Sequence, residues 1–239
     1  MNLTEYRALT FDCYGTLIDW ERGILEVLRA WAERHGVTSS GPQLLETYGS
    51  VEVRLQQAEP TKRYRELLYE VQLELADHFN VSRDPSDAKA FSDSIHDWPP
   101  FPDSPAALAY LKLHYRLVIL SNVDRRSFRS SNEKLGVEFD LIVTAEDVGS
   151  YKPNPGHFIE AFGRLKAMGI GKDQILHLAQ SLYHDIRPAN ALGLACVWVN
   201  RRHDRPDARG IEPPADARPD LVVTSLAEFA ERHRQAIGG

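Results

Sequence analysis

Five short apolar runs punctuate this chain: Arg7-Ala8-Leu9-Thr10-Phe11-Asp12, Leu117-Val118-Ile119-Leu120, Leu141-Ile142-Val143, Ile175-Leu176-His177-Leu178 and Cys196-Val197-Trp198-Val199. Runs so short and so continuously apolar suit parallel strands covered on both faces. Between the later runs lie the stretches 104–114, 126–135, 155–168 and 184–192, each mixing polar and apolar residues over a helical length. Gly136, Gly169 and Gly193 follow three of them, where helix-stopping glycines belong. Leu221-Val222-Val223 and a helix from Ser225 finish the pattern. Repeated strand-then-helix order predicts an α/β fold, a doubly wound parallel sheet with a Rossmann-like core.

Residues 18 to 97 break that rhythm. Ile24, Leu25, Leu28 and Trp31 fall at helical spacing, as do Tyr64, Leu67, Leu68, Val71 and Leu75, and nothing between them reads as a strand. The stretch closes on Trp98-Pro99-Pro100-Phe101-Pro102, a stiff proline-rich return. The expected organisation is a core formed by 1–17 and 98–239, with an all-helical cap inserted at 18–97.

Composition narrows the function. A net charge of −6 leaves no basic excess to neutralise phosphates, which argues against nucleic acid or an anionic membrane surface as a partner. Arg201, Arg202 and Arg205 stand beside Asp204 and Asp207, a pattern that reads as a solvated loop. No run approaches the ~18 apolar residues of a membrane helix. The start of the chain is too polar for a signal peptide. Two distant cysteines, Cys13 and Cys196, give neither a disulfide framework nor a zinc site, so a cytoplasmic enzyme, monomer or homodimer, is expected.

In an open parallel sheet, ligands bind beyond the carboxyl ends of the strands. Four clusters fall at such ends: Asp12-Cys13-Tyr14-Gly15-Thr16-Leu17, Ser121-Asn122, Lys152-Pro153 and Gln180 through Asp185. Each also has a plain structural role open to it. Asp12 could cap its own turn, Lys152 could be a surface lysine, Ser121-Asn122 could be turn chemistry, and Asp185 could cap a helix. Cys13 has no activating base near it in sequence, so packing is expected of it.

Taken together, the four clusters resemble the haloacid-dehalogenase superfamily over nearly the whole chain. That resemblance implies a nucleophilic Asp12, an apolar strand ending at Ser121, a catalytic Lys152 and an acidic Asp185. Two departures direct it further. Superfamily phosphatases carry a second Asp where this chain has Tyr14, and acidic Mg²⁺ ligands where it has Ala179-Gln180. Tyr14 instead is similar to the metal-independent, cofactor-free 2-haloacid dehalogenase branch. The resemblance then implies attack by Asp12 on a carbon bearing a leaving group, with an aspartyl ester as intermediate. Lys152 would keep Asp12 ionised, Thr16 would bond it, and Asp185 would orient Lys152 and the hydrolytic water. Ser121 and Asn122 would grip the carboxylate of a small acid substrate, with Tyr14, Trp20 and Ser181 around it.

Within that branch some positions differ. The arginine that receives the halide has its nearest candidate in Arg54, beside Glu52, and the aromatic residue six positions after the lysine is Phe158. A relative in the branch, azetidine-2-carboxylate hydrolase, opens a strained ring through an equivalent ester. The stretches from Phe11 to Trp20 and from Ser181 to Asp185 look similar to it. Trp20 could then stack on a cationic ring, or pack at the start of the cap. A (S)-2-haloacid is the first expectation, azetidine-2-carboxylate the second, a Mg²⁺-dependent phosphatase and a non-catalytic binding protein the others.

Overall fold

The computed structural model describes residues 1–204 and 215–238. Its centre is a six-stranded sheet in the order β3-β2-β1-β4-β5-β6. The strands are β1 (Ala8–Phe11), β2 (Arg116–Ser121), β3 (Leu141–Thr144), β4 (Ile175–Ala179), β5 (Ala195–Val199) and β6 (Leu221–Val223). Every neighbouring pair is parallel. The chain steps outward from β1 through β2 to β3, then returns to lay β4 on the other side of β1. The order therefore reverses at the carboxyl ends of β1 and β4, the place where such sheets open a crevice.

Alternating residues feed two cores, as the pleat requires. Leu9, Phe11, Leu117, Ile119, Leu176 and Leu178 join a core that continues into the inserted helices. Ala8, Val118, Leu120, Ile175 and Cys196 pack on the other face, against Phe158, Ala161 and Leu165. Each fully buried Leu or Phe contributes roughly 1.5–3 kcal/mol of transfer free energy.

Between β1 and β2 stand α1 (Trp20–Arg34), α2 (Gly41–Ala58), α3 (Tyr64–His78) and α4 (Pro85–Asp93). Asp19 caps α1 by accepting from the amide of Arg22, and Ser40 and Gln43 form a capping box at α2. The apolar residues at helical spacing face inward: Ile24, Leu28, Trp31, Tyr64, Leu67, Leu68, Val71 and Leu75 are buried. The return is packed tightly as well, since a Cβ on Gly23 would lie 2.3 Å from the Trp98 ring.

The remaining helices are α5 (Ser104–Leu111), α6 (Arg125–Leu135), α7 (Ala145–Val148), α8 (Gly156–Ala167), α9 (Arg187–Ala191) and α10 (Leu226–Gly238). The helix expected over 184–192 is instead a single π-helical turn, Leu182–Ile186, running into α9. Among the described residues, no helix is long and apolar enough to cross a membrane.

The loop after β5 corrects the expectation of a solvated arginine segment. Arg201 donates twice to the Thr16 carbonyl, at 3.0 and 2.9 Å, pairs with Asp103 at 2.7 Å and lies over the Phe101 ring. Arg202 pairs with Glu21 at 2.6 Å. Glu21 stands in the first turn of α1 and Asp103 just before α5, and the two carboxylates draw the arginines inward. Arg205 and Asp207 lie outside the described residues.

Candidate active site

Asp12 is the first residue beyond β1, and its backbone amide still bonds the Leu178 carbonyl of β4 at 3.1 Å. The chain must turn sharply there. Gly15 adopts φ +97, and a Cβ at that position would meet Gln180 at 2.9 Å and Trp20 at 3.0 Å. The turn brings Thr16 back under the carboxylate, where its hydroxyl donates to Asp12 Oδ2 at 2.7 Å. The same hydroxyl accepts from the Gln180 amide at 2.9 Å, which ties the β1 loop to the end of β4.

Lys152 reaches Asp12 from the loop before α8. Its ammonium makes three bonds: to Asp12 Oδ1 at 2.9 Å, to Asp185 Oδ1 at 2.7 Å and to the Leu120 carbonyl at 2.8 Å. The side chains of Lys152 and Asp185 are each 1% exposed. Asn122 holds the lysine backbone in place. Its Oδ1 accepts from the Lys152 amide at 2.7 Å and its Nδ2 donates to the Lys152 carbonyl at 3.2 Å. Ser181 starts the π turn that carries Asp185, accepting from the His184 amide at 2.9 Å.

Burial shapes the titration of this group. Desolvation alone would depress the Lys152 ammonium, but Asp12 and Asp185 outweigh it and hold it above its ordinary value. Burial and the nearby Asp185 push the Asp12 carboxyl up against the pull of Lys152 and Thr16. Asp185 faces the same burial, yet Lys152 and His177 bring it down to about 2. As pH falls, Asp12 is therefore the carboxylate that protonates first.

A small cavity of about 70 Å³ opens on this cluster, far below the ~300–1,000 Å³ of pockets for drug-sized ligands. Asp12, Tyr14, Asn122, Lys152, Ser181 and Asp185 line its sheet side. Trp20, Tyr48, Glu52, Val53, Gln56 and Tyr64 line it from the inserted helices. Tyr48 and Tyr64 donate to Glu52 Oε1 at 2.8 and 2.6 Å. Burial, then the Glu52 carboxylate, pushes both phenols well above their ordinary range, so they stay neutral donors.

Most of the residues singled out in the sequence converge here, with exceptions. Ser121 does not line the cavity, and its buried Oγ has no hydrogen-bond partner among the described residues. Asn122 lines it, but both ends of its amide bond the Lys152 backbone. Arg54 is corrected outright: it pairs with Glu74 on an exposed face and is absent from the cavity wall. Cys13 is fully buried, its thiol pushed well above the ordinary range by burial and then by Asp12, as packing rather than nucleophilic chemistry requires. Tyr14 lines the cavity and bonds Ser131 through its hydroxyl at 2.8 Å.

The residues missed in the sequence are Tyr48, Glu52, Gln56 and Tyr64. A signal was there: Tyr48, Glu52 and Gln56 recur every four residues on the face of α2 that otherwise carries Leu44, Leu45, Val51 and Leu55. An acid on an apolar stripe marks a site more than a surface.

A divalent cation does not fit these residues. Lys152 bridges the two carboxylates that would be ligands, Thr16 occupies the second oxygen of Asp12, and Tyr14 and Gln180 bring no charge. Among the described residues, no group of three or more His, Cys, Asp or Glu side chains is placed to hold a metal.

A family model for haloacid dehalogenase-like hydrolases matches residues 6–205. An (S)-2-haloacid dehalogenase of Pseudomonas fluorescens is 30% identical over 156 residues, 64% of this chain and 64% of that protein. The chain thus spans just under two thirds of that relative's length. A phosphoserine phosphatase of Thermus thermophilus is 29% identical over 145 residues, 59% of this chain and 54% of that protein. Among solved structures, the L-2-haloacid dehalogenase from Xanthobacter autotrophicus superposes with a TM-score of 0.79 at 18% identity, covering 96% of this chain and 98% of that one. At that identity the likeness establishes the fold.

Proposed function

The chain belongs to the haloacid dehalogenase-like hydrolase family, and from that premise we propose that it hydrolyses a small carboxylic acid at C2 through an ester on Asp12. One observation carries the proposal: the Lys152 ammonium, bonded to both Asp12 and Asp185 in a buried cluster, keeps a carboxylate charged at the mouth of the strand end. An Asp12 oxygen forms a bond to C2 as the leaving group departs with its electron pair. Water then adds to the ester carbonyl and gives up a proton to Asp185. Breakdown of the adduct expels the 2-hydroxy acid, whose departing oxygen takes the proton from Asp185, and Asp12 loses the remaining proton to solvent. The helices of 18–97 act as a cap that keeps bulk water from the ester while it forms.

Two leaving groups are open. The haloacid dehalogenase relatives support a halide, hence a (S)-2-haloacid. The aromatic lining of the cavity also suits a ring amine, as in L-azetidine-2-carboxylate. A ring ammonium would lie against the faces of Trp20 and Tyr48, which line the cavity.

The test is a parallel screen of short 2-haloacids and L-azetidine-2-carboxylate, following halide and primary amine, with an aryl phosphate assayed with and without Mg²⁺. Turnover of either acid, lost in Asp12→Asn, supports the proposal. Turnover of the phosphate alone, dependent on Mg²⁺, contradicts it. Halide release or primary-amine release in that screen separates the two leaving groups.

A further inference from the structure

His177 touches the site only through Asp185, and it is fully buried on β4. It stands opposite Thr10 in the parallel pairing of β1 with β4. The Thr10 hydroxyl lies 2.9 Å from His177 Nδ1, and His177 Nε2 lies 3.2 Å from Asp185 Oδ1. Asp185 Oδ1 has only acceptor capacity, so Nε2 carries a proton towards it, while the Thr10 hydroxyl meets the ring at Nδ1. Phe158 packs edge-on against the ring at 5.0 Å between centroids. A strand-borne chain thus runs from Thr10 through His177 to Asp185.

Asp185 is where that chain ends usefully. Its Oδ1 takes both Lys152 and His177, while its Oδ2 is buried without a hydrogen-bond partner among the described residues. Asp185 also lines the cavity. A buried carboxylate oxygen with no donor is costly unless something else binds it. With both fixed donors on one oxygen, the other is left for the water that cleaves the ester.

We propose that His177 is a positioning residue for the ester-hydrolysis step, locking Asp185 with Oδ1 towards Lys152 and Oδ2 towards the attacking water. The inference rests on the aspartyl-ester mechanism above. It adds that one carboxylate needs two donors on the same oxygen, since Lys152 alone would leave it free to rotate and exchange its oxygens. The titratable groups around Asp185 include Lys152, Asp12, His157, His177 and His184. Burial lowers both His157 and His184, which therefore bring no competing charge.

The experiment compares His177→Phe, which removes the donor, with His177→Gln, which keeps an N–H at similar reach. Rapid-quench mass measurement of the intact protein follows ester formation and ester loss separately, and kcat is profiled against pH. Thermal unfolding verifies that each variant is folded. In His177→Phe, ester loss should slow roughly tenfold or more, with ester formation changed far less, as expected for one charge-assisted hydrogen bond. The acid limb of kcat should move to higher pH, because Asp185 has lost a donor to its charged form. His177→Gln should restore both. If His177→Phe does not fold, His177→Asn, whose amide is too short to span to Asp185, takes its place. A folded donor-less variant with wild-type ester loss and an unmoved acid limb would overturn the proposal. Absence of any adduct in the wild type would instead strike the ester mechanism itself, and the acid limb would still decide whether His177 acts through Asp185.

Discussion

Lys152 directs all three of its N–H bonds into the protein, to Asp12, Asp185 and the Leu120 carbonyl, so nothing in its charge is left for solvent. That makes Asp12 the weak member of the cluster on acidification. Its carboxyl is raised by burial and by Asp185, and activity requires it ionised. Because a raised pKa means protonation at higher pH, kcat/KM should fall on the acid side above the ordinary aspartate value of 3.8. A pH profile of kcat/KM checks this; an acid limb at or below the ordinary value would contradict it. At this scale the sequence was legible for Asp12, Thr16, Lys152 and Asp185, whose strand-end positions mark them. For Glu52 and Tyr48 it gave only their four-residue spacing on α2, because which face of that helix meets the cavity depends on how it docks.

The elements around the nucleophile are held by one side chain in particular. Arg201, 6% exposed in its side chain, fastens the Thr16 carbonyl to Asp103 and Ser104, joining the nucleophile loop to the segment where the inserted helices return. Arg201→Met should lower stability by about 2–4 kcal/mol, since it strands a carbonyl and a carboxylate. It should also lower kcat, because Thr16 orients Asp12. Denaturant unfolding with steady-state kinetics reads both, and an unchanged kcat would mean the loop needs no such anchor. Trp20 opens α1, lines the cavity and lies 5.7 Å from the Tyr48 ring. Trp20→Ala should cut turnover roughly tenfold or more while the protein stays folded, as loss of a lid contact does. Turnover at the wild-type level would leave Trp20 as packing alone. Strands and long helices were readable because period and burial agree there. The π turn at Leu182–Ile186 was not, since a helical pattern does not tell a π turn from an α turn, and Arg201 looked solvated because its partner Asp103 is nearly a hundred residues away.

For the whole molecule, the order of strands decides where chemistry can occur. Placing β1 between β2 and β4 brings residues 12, 122, 152 and 185 to one crevice, and the helices inserted after β1 lie over it. Strand-then-helix order in the sequence was enough to predict that crevice, while the small size of the cavity emerges only from how the inserted helices pack. With Lys152 standing between the carboxylates, turnover should survive excess chelator unchanged. Loss on chelation with recovery on Mg²⁺ would return the protein to phosphoryl transfer.

The central claim is that Asp12 bonds to the substrate carbon. A single turnover in ¹⁸O-labelled water, with enzyme in excess, tests it most directly. Attack by Asp12 followed by water at the ester carbonyl predicts label in the Asp12 carboxylate and little in the product, whose hydroxyl oxygen comes from Asp12. Label arriving directly in the product hydroxyl would contradict the account and make Asp12 a general base.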